Sequence, residues 1–312
     1  MDEKKEKKEK YFDISLMENI DSIVLNEEIG PLILLKKYPS FACGMESGTI
    51  KIYERKSPYN HQFTINAHEQ QIFALLETKK GELISGSKDC LIQLFSYDLM
   101  LKNFNCLLIL IGHKSYINYV IELENTKNFV SCSLDQTIRI WNIETKQIIS
   151  NYTIEDNVWT LIENDNKILF FPENNEGLFL IDYLIGNIEK KNINISCTGT
   201  NGIYKININL IAVASLTYIY IVDIKNYIIN NIMKFDNETY FWCSYLLSDG
   251  SLVVSGYEPN IIQWDINKNE LISKKMSIHN QSVPTIVEIE NNILITASYD
   301  GQIKFWKMKY ME

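Results

Sequence analysis

Alternating apolar segments end at Tyr53, Phe95, Trp141, Ile181, Val222, Trp264 and Trp306, at intervals of 42, 46, 40, 41, 42 and 42 residues. A period this regular means that one structural unit is copied along the chain. The segments before the markers, such as TIKIY (49–53), TIRIW (137–141), NIIQW (260–264) and QIKFW (302–306), alternate apolar and polar side chains. A period of two is that of a strand with one face buried. Six residues before each marker stands a turn residue: Asp89, Asp135 and Asp300 in three units, and Ser47, Asn175, Leu216 and Glu258 in the others. Asp, Asn and Ser suit such turns because their short side chains bond the local backbone. Upstream of the turn lies a further apolar strand, for example ELISGS (82–87), NFVSCS (128–133) or NILITAS (292–298). No unit carries a helical stripe.

Seven units of about 42 residues match the spacing of four-stranded propeller blades, so the expected architecture is an all-β, seven-bladed propeller of antiparallel blades. The best-marked units resemble the WD-repeat (WD40-type) β-propeller family over residues 19–307 or so. The third unit has His113, Ser131, Asp135 and Trp141, and the seventh has His279, Thr296, Asp300 and Trp306. The second has His68, Ser85 and Asp89, with Phe95 in place of Trp. The His-to-Asp spacing is 21, 22 and 21 residues in units two, three and seven. Units one, four, five and six lack the His, and their boundaries rest on period and alternation alone.

The resemblance implies that Asp, His, Ser/Thr and Trp of one blade form a hydrogen-bonded tetrad. The chemistry suits it: the Asp accepts from turn N–H groups and fixes the imidazole, while the indole N–H can only donate and needs an acceptor. Ser131, His113 and Asp135 also have the composition of a nucleophilic triad. The same trio recurs in other units, however, and a hydroxyl engaged by an indole is not free to attack a substrate. The tetrads are therefore read as structural, with no catalytic residue and no metal site.

After Trp306 too few residues remain for a fourth strand in the last blade. Asn19–Leu25, NIDSIVL, can supply it and close the ring, which removes exposed sheet edges. This divides the chain into a charged tail, 1–18, and one propeller, 19–312. The chain opens MDEKKEKKEK, with no apolar leader, which together with the thiols predicts a cytoplasmic or nuclear location. Cys43, Cys90, Cys106, Cys132, Cys197 and Cys243 include no C-x-x-C pair, and the four histidines do not cluster, so reduced thiols and no cofactor are expected. The run Leu210–Val222 is too short for a bilayer span and reads as two strands around a turn. The net charge is −9 with only two arginines, Arg55 and Arg139, which argues against nucleic acid and anionic membrane as partners.

In the family, partners dock over the narrow face, where each blade's first strand begins and the turn before its third strand lies. Counting from the His places Phe73, Tyr116, Trp159, Tyr204, Tyr240, Trp242, Tyr257 and Tyr299 there. Aromatic side chains bury much area with little loss of rotamer freedom, so these positions predict a protein or peptide partner rather than a small-molecule substrate. Packing between blades is the competing role for part of the set. Lys88 is the one cation among the mapped positions, which disfavours phosphopeptides; aromatic rings in an acidic chain favour basic segments, methylated lysine included. The leading functional expectation is a non-enzymatic scaffold or recognition subunit of a larger complex. The alternatives are a substrate receptor of a ubiquitin ligase and a propeller enzyme. The first is weakened by Ile266 and Asn267 after Trp264-Asp265. The second would have to rest on Glu28 and Glu46.

Overall fold

The computed structural model describes residues 11–98, 103–124, 126–174, 176–195, 202–215, 217–235, 240–290 and 292–310. These form seven four-stranded antiparallel sheets, with no helix among the described residues. In six sheets the strands follow chain order, over residues 29–66, 72–111, 117–153, 162–191, 202–234 and 241–275. These are blades one to six. Blade seven holds Thr285–Ile289, Ile293–Ala297 and Gln302–Tyr310, and takes its outermost strand from the N-terminal side of the chain. Every marker residue of the repeat falls in the third strand of its blade, and the apolar run at 210–222 is the hairpin Leu210–Ala214 and Tyr218–Asp223. The alternation has its physical cause here: one set of side chains packs on the preceding blade and the other set on the next. Mixed clusters result, such as Ile138 and Cys132 of blade three with Phe170 and Ile181 of blade four.

The closing strand is Phe12–Val24, which pairs with Gln302–Tyr310 from Phe12↔Tyr310 to Val24↔Gln302. The closure expected at Asn19–Leu25 is present, but the boundary of the tail at residue 18 is corrected: 12–18 belong to the sheet. Phe12, Ile14 and Met17 are buried with Cys243, Val253, Ile261 and Ile278, a core shared by blades six and seven. Polar atoms of blade six hold the same stretch. Phe12 N–H donates to Asp249 Oδ2 at 2.6 Å, Ile14 N–H to Gln263 Oε1 at 3.2 Å, and Lys275 Nζ to the Ser15 carbonyl at 3.0 Å. Residues 1–10 lie outside the described residues.

A second latch joins blades one and seven. Tyr59, in the loop between the outer strands of blade one, stacks on Phe305 with centroids 3.6 Å apart, and Arg55 reaches Glu290 at 3.3 Å. A further repeated contact ties blades together on the face opposite the narrow one. Glu77, Glu122, Glu163 and Glu288, near the end of their inner strands, each accept backbone N–H groups from the first hairpin of the preceding blade. The donors are Lys36 and Lys37, Lys79, Glu124 and Ser248, at 2.5–3.1 Å. In the three blades that carry the His, this Glu stands nine residues after it.

Candidate functional site on the narrow face

The tetrads set the geometry of this face. In blade three His113 Nδ1 lies 2.9 Å from Asp135 Oδ2, and Nε2 lies 2.6 Å from Ser131 Oγ, which accepts the Trp141 indole N–H at 2.8 Å. Blade seven repeats this with Asp300 at 3.1 Å, Thr296 at 2.7 Å and Trp306 at 2.9 Å. Blade two has His68 with Asp89 at 2.9 Å and Ser85 at 2.8 Å, while Phe95 fills the Trp position. Each Asp also accepts the N–H two residues on (Leu91, Thr137, Gln302) and the N–H just after the His (Glu69, Lys114, Asn280), so the turn and the loop from the previous blade are locked together.

The imidazoles are held neutral. Burial lowers the pKa of His68, His113 and His279, the last to about 4, against the opposing pull of the paired carboxylates. Burial alone would raise Asp135 and Asp300. For Asp135 the bonds from His113 and Thr137 outweigh it, for Asp300 the bonds from the Asn280 and Gln302 N–H groups and from His279, and both carboxyls stay ionised well into acid. A neutral imidazole with its proton on Nδ1 satisfies the whole chain: it donates to Asp and accepts from Ser or Thr, which accepts from Trp. Two blades without the His keep the same tie with reversed polarity. In blade four Asp156, in the loop, accepts the turn amide of Asn174 at 2.8 Å. In blade one Glu27 accepts that of Ser47 at 3.1 Å. The turn positions Asn175 and Leu216 lie outside the described residues.

At the centre of the ring is a well of about 730 Å³ bounded by residues of all seven blades. Phe73, Tyr116, Trp159, Tyr204, Tyr240, Trp242 and Tyr299 line it. Tyr257 does not reach the well; it stands 61% exposed on its turn, with its ring edge-on to Trp242 at 6.1 Å. Trp242 also meets Tyr299 at 5.7 Å, and Phe73 stacks with Tyr116 at 6.1 Å across the junction of blades two and three. Lys88 Nζ sits 5.1 Å over the Tyr116 ring, within cation–π range. The Tyr204 hydroxyl donates to the Trp242 carbonyl at 2.6 Å.

The inner strands of blades two, three and six each bulge at one position, at Phe73, Asn118 and Trp242. A bulge inserts one residue and re-aims its side chain, so the strand starts give the rim two adjacent residues rather than every second one. That explains wall residues which strict alternation overlooks: Tyr119, Cys243, Ser244 and Tyr245 also line the well. Burial raises the pKa of Tyr119 to about 12 and of Cys243 to about 11, and raises Tyr204 and Tyr245 as well, so these groups are uncharged at neutral pH and Glu173 is the one acidic side chain of the lining. Exposed carboxylates ring the mouth, among them Glu46, Glu69, Glu155 and Glu258. Glu28 is half-buried beside Gln71, whose amide lies 3.5 Å away. No group of three or more His, Cys, Asp or Glu side chains able to hold a metal ion occurs among the described residues.

The profile of the family described as WD domain, G-beta repeat matches residues 104–142 and 274–307, the two stretches that hold the full His–Asp–Ser/Thr–Trp tetrads. These are WD40 repeats in a WD40-type propeller. The fold is shared with the crystal structure of the WD40 beta propeller domain of Doa1, with a TM-score of 0.79 over 94% of this chain and 97% of that one at 15% identity. In sequence the chain is 23% identical over 242 residues, 72% of its length, to apoptotic protease-activating factor 1 of Mus musculus, and 22% identical to that of Rattus norvegicus. It is 23% identical over 119 residues, 38% of its length, to DENN domain-containing protein 3 of Mus musculus. The chain spans 17% of the length of the first two relatives and 9% of the third.

Proposed function

We propose that this propeller is a non-enzymatic interaction module that holds a protein or peptide partner over the narrow face, as a scaffold or recognition subunit of a larger cytoplasmic complex. WD40 propellers generally serve protein–protein contact. The observation that carries the reading here is the convergence of nine aromatic side chains, drawn from six blades, on one well. Aromatic rings in a concave site supply binding area at low entropic cost. The wall holds neutral tyrosines and a neutral thiol, which suits recognition better than proton transfer. Carboxylates around an uncharged aromatic mouth draw a segment carrying lysine, whose alkyl stem packs on the rings while its ammonium faces the acidic rim.

The test is affinity purification from the source cells with mass spectrometry, comparing the native chain with Trp159→Ala and Trp242→Ala. Partners lost from both variants, and bound more weakly as salt rises, support the proposal. An unchanged bound set would refute it.

A further inference from the structure

Six of the seven junctions between neighbouring blades are closed at the outer rim by contacts named from side chains. Tyr59 on Phe305 closes seven to one, and Tyr38 with Tyr97 and Phe104 closes one to two. Tyr152 and Phe179 share the core between three and four, Lys191 covers Tyr227 between four and five, and Asn231 Nδ2 bonds the Ile266 carbonyl between five and six. The strand at 12–24 covers six to seven.

The junction of blades two and three also shares a core, Leu108 and Leu110 with Trp141, but a cleft stays open beside it. Its outermost strands, Asn103–Ile111 and Gln147–Thr153, contain no charged residue. Between them runs a groove of about 500 Å³ lined by Leu108, Ile109, Leu110, Ile111, Trp141 and Ile148, with Lys146 and Gln147 at its side. Ile109 is 50% exposed, Ile111 79% and Ile148 40%, a large apolar surface for one short cleft. Just past the strand, Gly112 packs close on blade three: a Cβ there would stand 2.6 Å from Arg139 Nη1 and 2.9 Å from Trp141 Cη2. The strand at 103–111 is hydrogen-bonded on one side only, so its far edge can pair with another extended chain. Lys146 is the one charged side chain of the groove. It is exposed and has no ion-pair partner among the described residues, in a protein that is otherwise acidic.

We propose that this groove is a second docking site, separate from the narrow face, for an extended partner segment of bulky aliphatic residues with one acidic side chain. The aliphatic side chains cover Ile109, Ile111 and Ile148, and the carboxylate meets Lys146. Charge complementarity selects this occupant: an apolar segment without an acid leaves the ammonium unpaired at the edge of the contact, and a basic one repels it.

The probes are labelled heptapeptides with a Leu-Ile-Gln-Leu core and a single Asp at either end, and the same peptides with Lys in place of Asp, titrated by fluorescence anisotropy against the full chain. At least one Asp peptide should bind, with its Lys counterpart at least tenfold weaker. Ile109→Asn should weaken binding at least tenfold. Lys146→Glu should do the same and reverse the preference toward the Lys peptide, and Trp242→Ala should leave binding unchanged. Ile149→Asn, outside the lining, is the control for a general loss of surface hydrophobicity, and circular dichroism checks that each variant is folded. The proposal is overturned if no Asp peptide binds at millimolar concentration, if Ile109→Asn and Lys146→Glu leave binding intact, or if Trp242→Ala abolishes it. Self-association of the protein that Ile109→Asn removes would assign the groove to a second copy of the chain and equally overturn the peptide reading.

Discussion

Replacing Phe12 by Ala tests whether the stretch before Asn19 is part of the ring. Phe12 is fully buried, stacked on Tyr310 with centroids 4.4 Å apart, in a core drawn from blades six and seven. Truncating a buried Phe to Ala costs about 3–5 kcal/mol through lost transfer energy and the cavity left behind. The loss falls on the strand pairing that completes blade seven and so helps turn an open array of blades into a closed ring. With a urea slope of about 3 kcal/mol per molar, the unfolding midpoint should drop by roughly 1–1.7 M. Ile20, on the same strand but 49% exposed, is the matched control, and Ile20→Ala should change stability by about 0.5 kcal/mol or less. Urea titrations followed by far-ultraviolet dichroism and by tryptophan fluorescence measure both. Equal midpoints for the two variants would refute the reasoning, because residues 12–18 would then contribute no more than a solvated tail.

Three further outcomes are expected. The Trp264 indole N–H is buried without a partner, and Val254, 1% exposed, stands ten residues before it, as Ser131 does before Trp141 and Thr296 before Trp306. Val254→Thr should therefore stabilise the protein by about 1 kcal/mol, whereas Val130→Thr, with no indole to meet, should destabilise it by about 1–3 kcal/mol; equal losses in thermal melts would count against the tetrad logic. Burial lowers the folded pKa of His279 to about 4 from 6.5, so the unfolded chain binds the extra proton and stability is lost as pH falls from about 6.5 through 4. This histidine alone contributes about 3 kcal/mol to that loss, and His279→Gln should flatten the melting temperature over this range. Glu122→Ala frees the Lys79 amide, whose exchange with deuterium should quicken roughly five- to tenfold while the amides of the blade-three hairpins keep their rates.

The period, the strand alternation and the tetrads were legible because each is written in local spacing. A four-stranded sheet of fixed size sets the interval between markers, and the hairpin geometry of Ser131 and Trp141 sets their ten-residue separation. The start of the closing strand was not legible. Register shifts between Asp13 and Glu18 and between Asn19 and Asp21 break its alternation, and Asp13, Ser15 and Glu18 make it look like more of the charged run. The rim aromatics were placed by counting from the His, which works for Phe73 and Tyr116. The bulges then add neighbours such as Tyr119 that a strict period of two assigns to the other face. Glu77, Glu122 and Glu288 stood in plain view nine residues after a His. Their partners are backbone groups of a different blade, so nothing in the residues nearby gives their role away.

Phe12 and Tyr310 lie side by side on adjacent strands, so the polypeptide path leaves the disc about where it enters. A short bridge between these two positions would make the backbone a covalent circle, which could then be cut in any hairpin without loss of a blade. Such a circular permutant should keep all seven sheets, and the same closeness would let the whole ring sit as an insert within a loop of another domain.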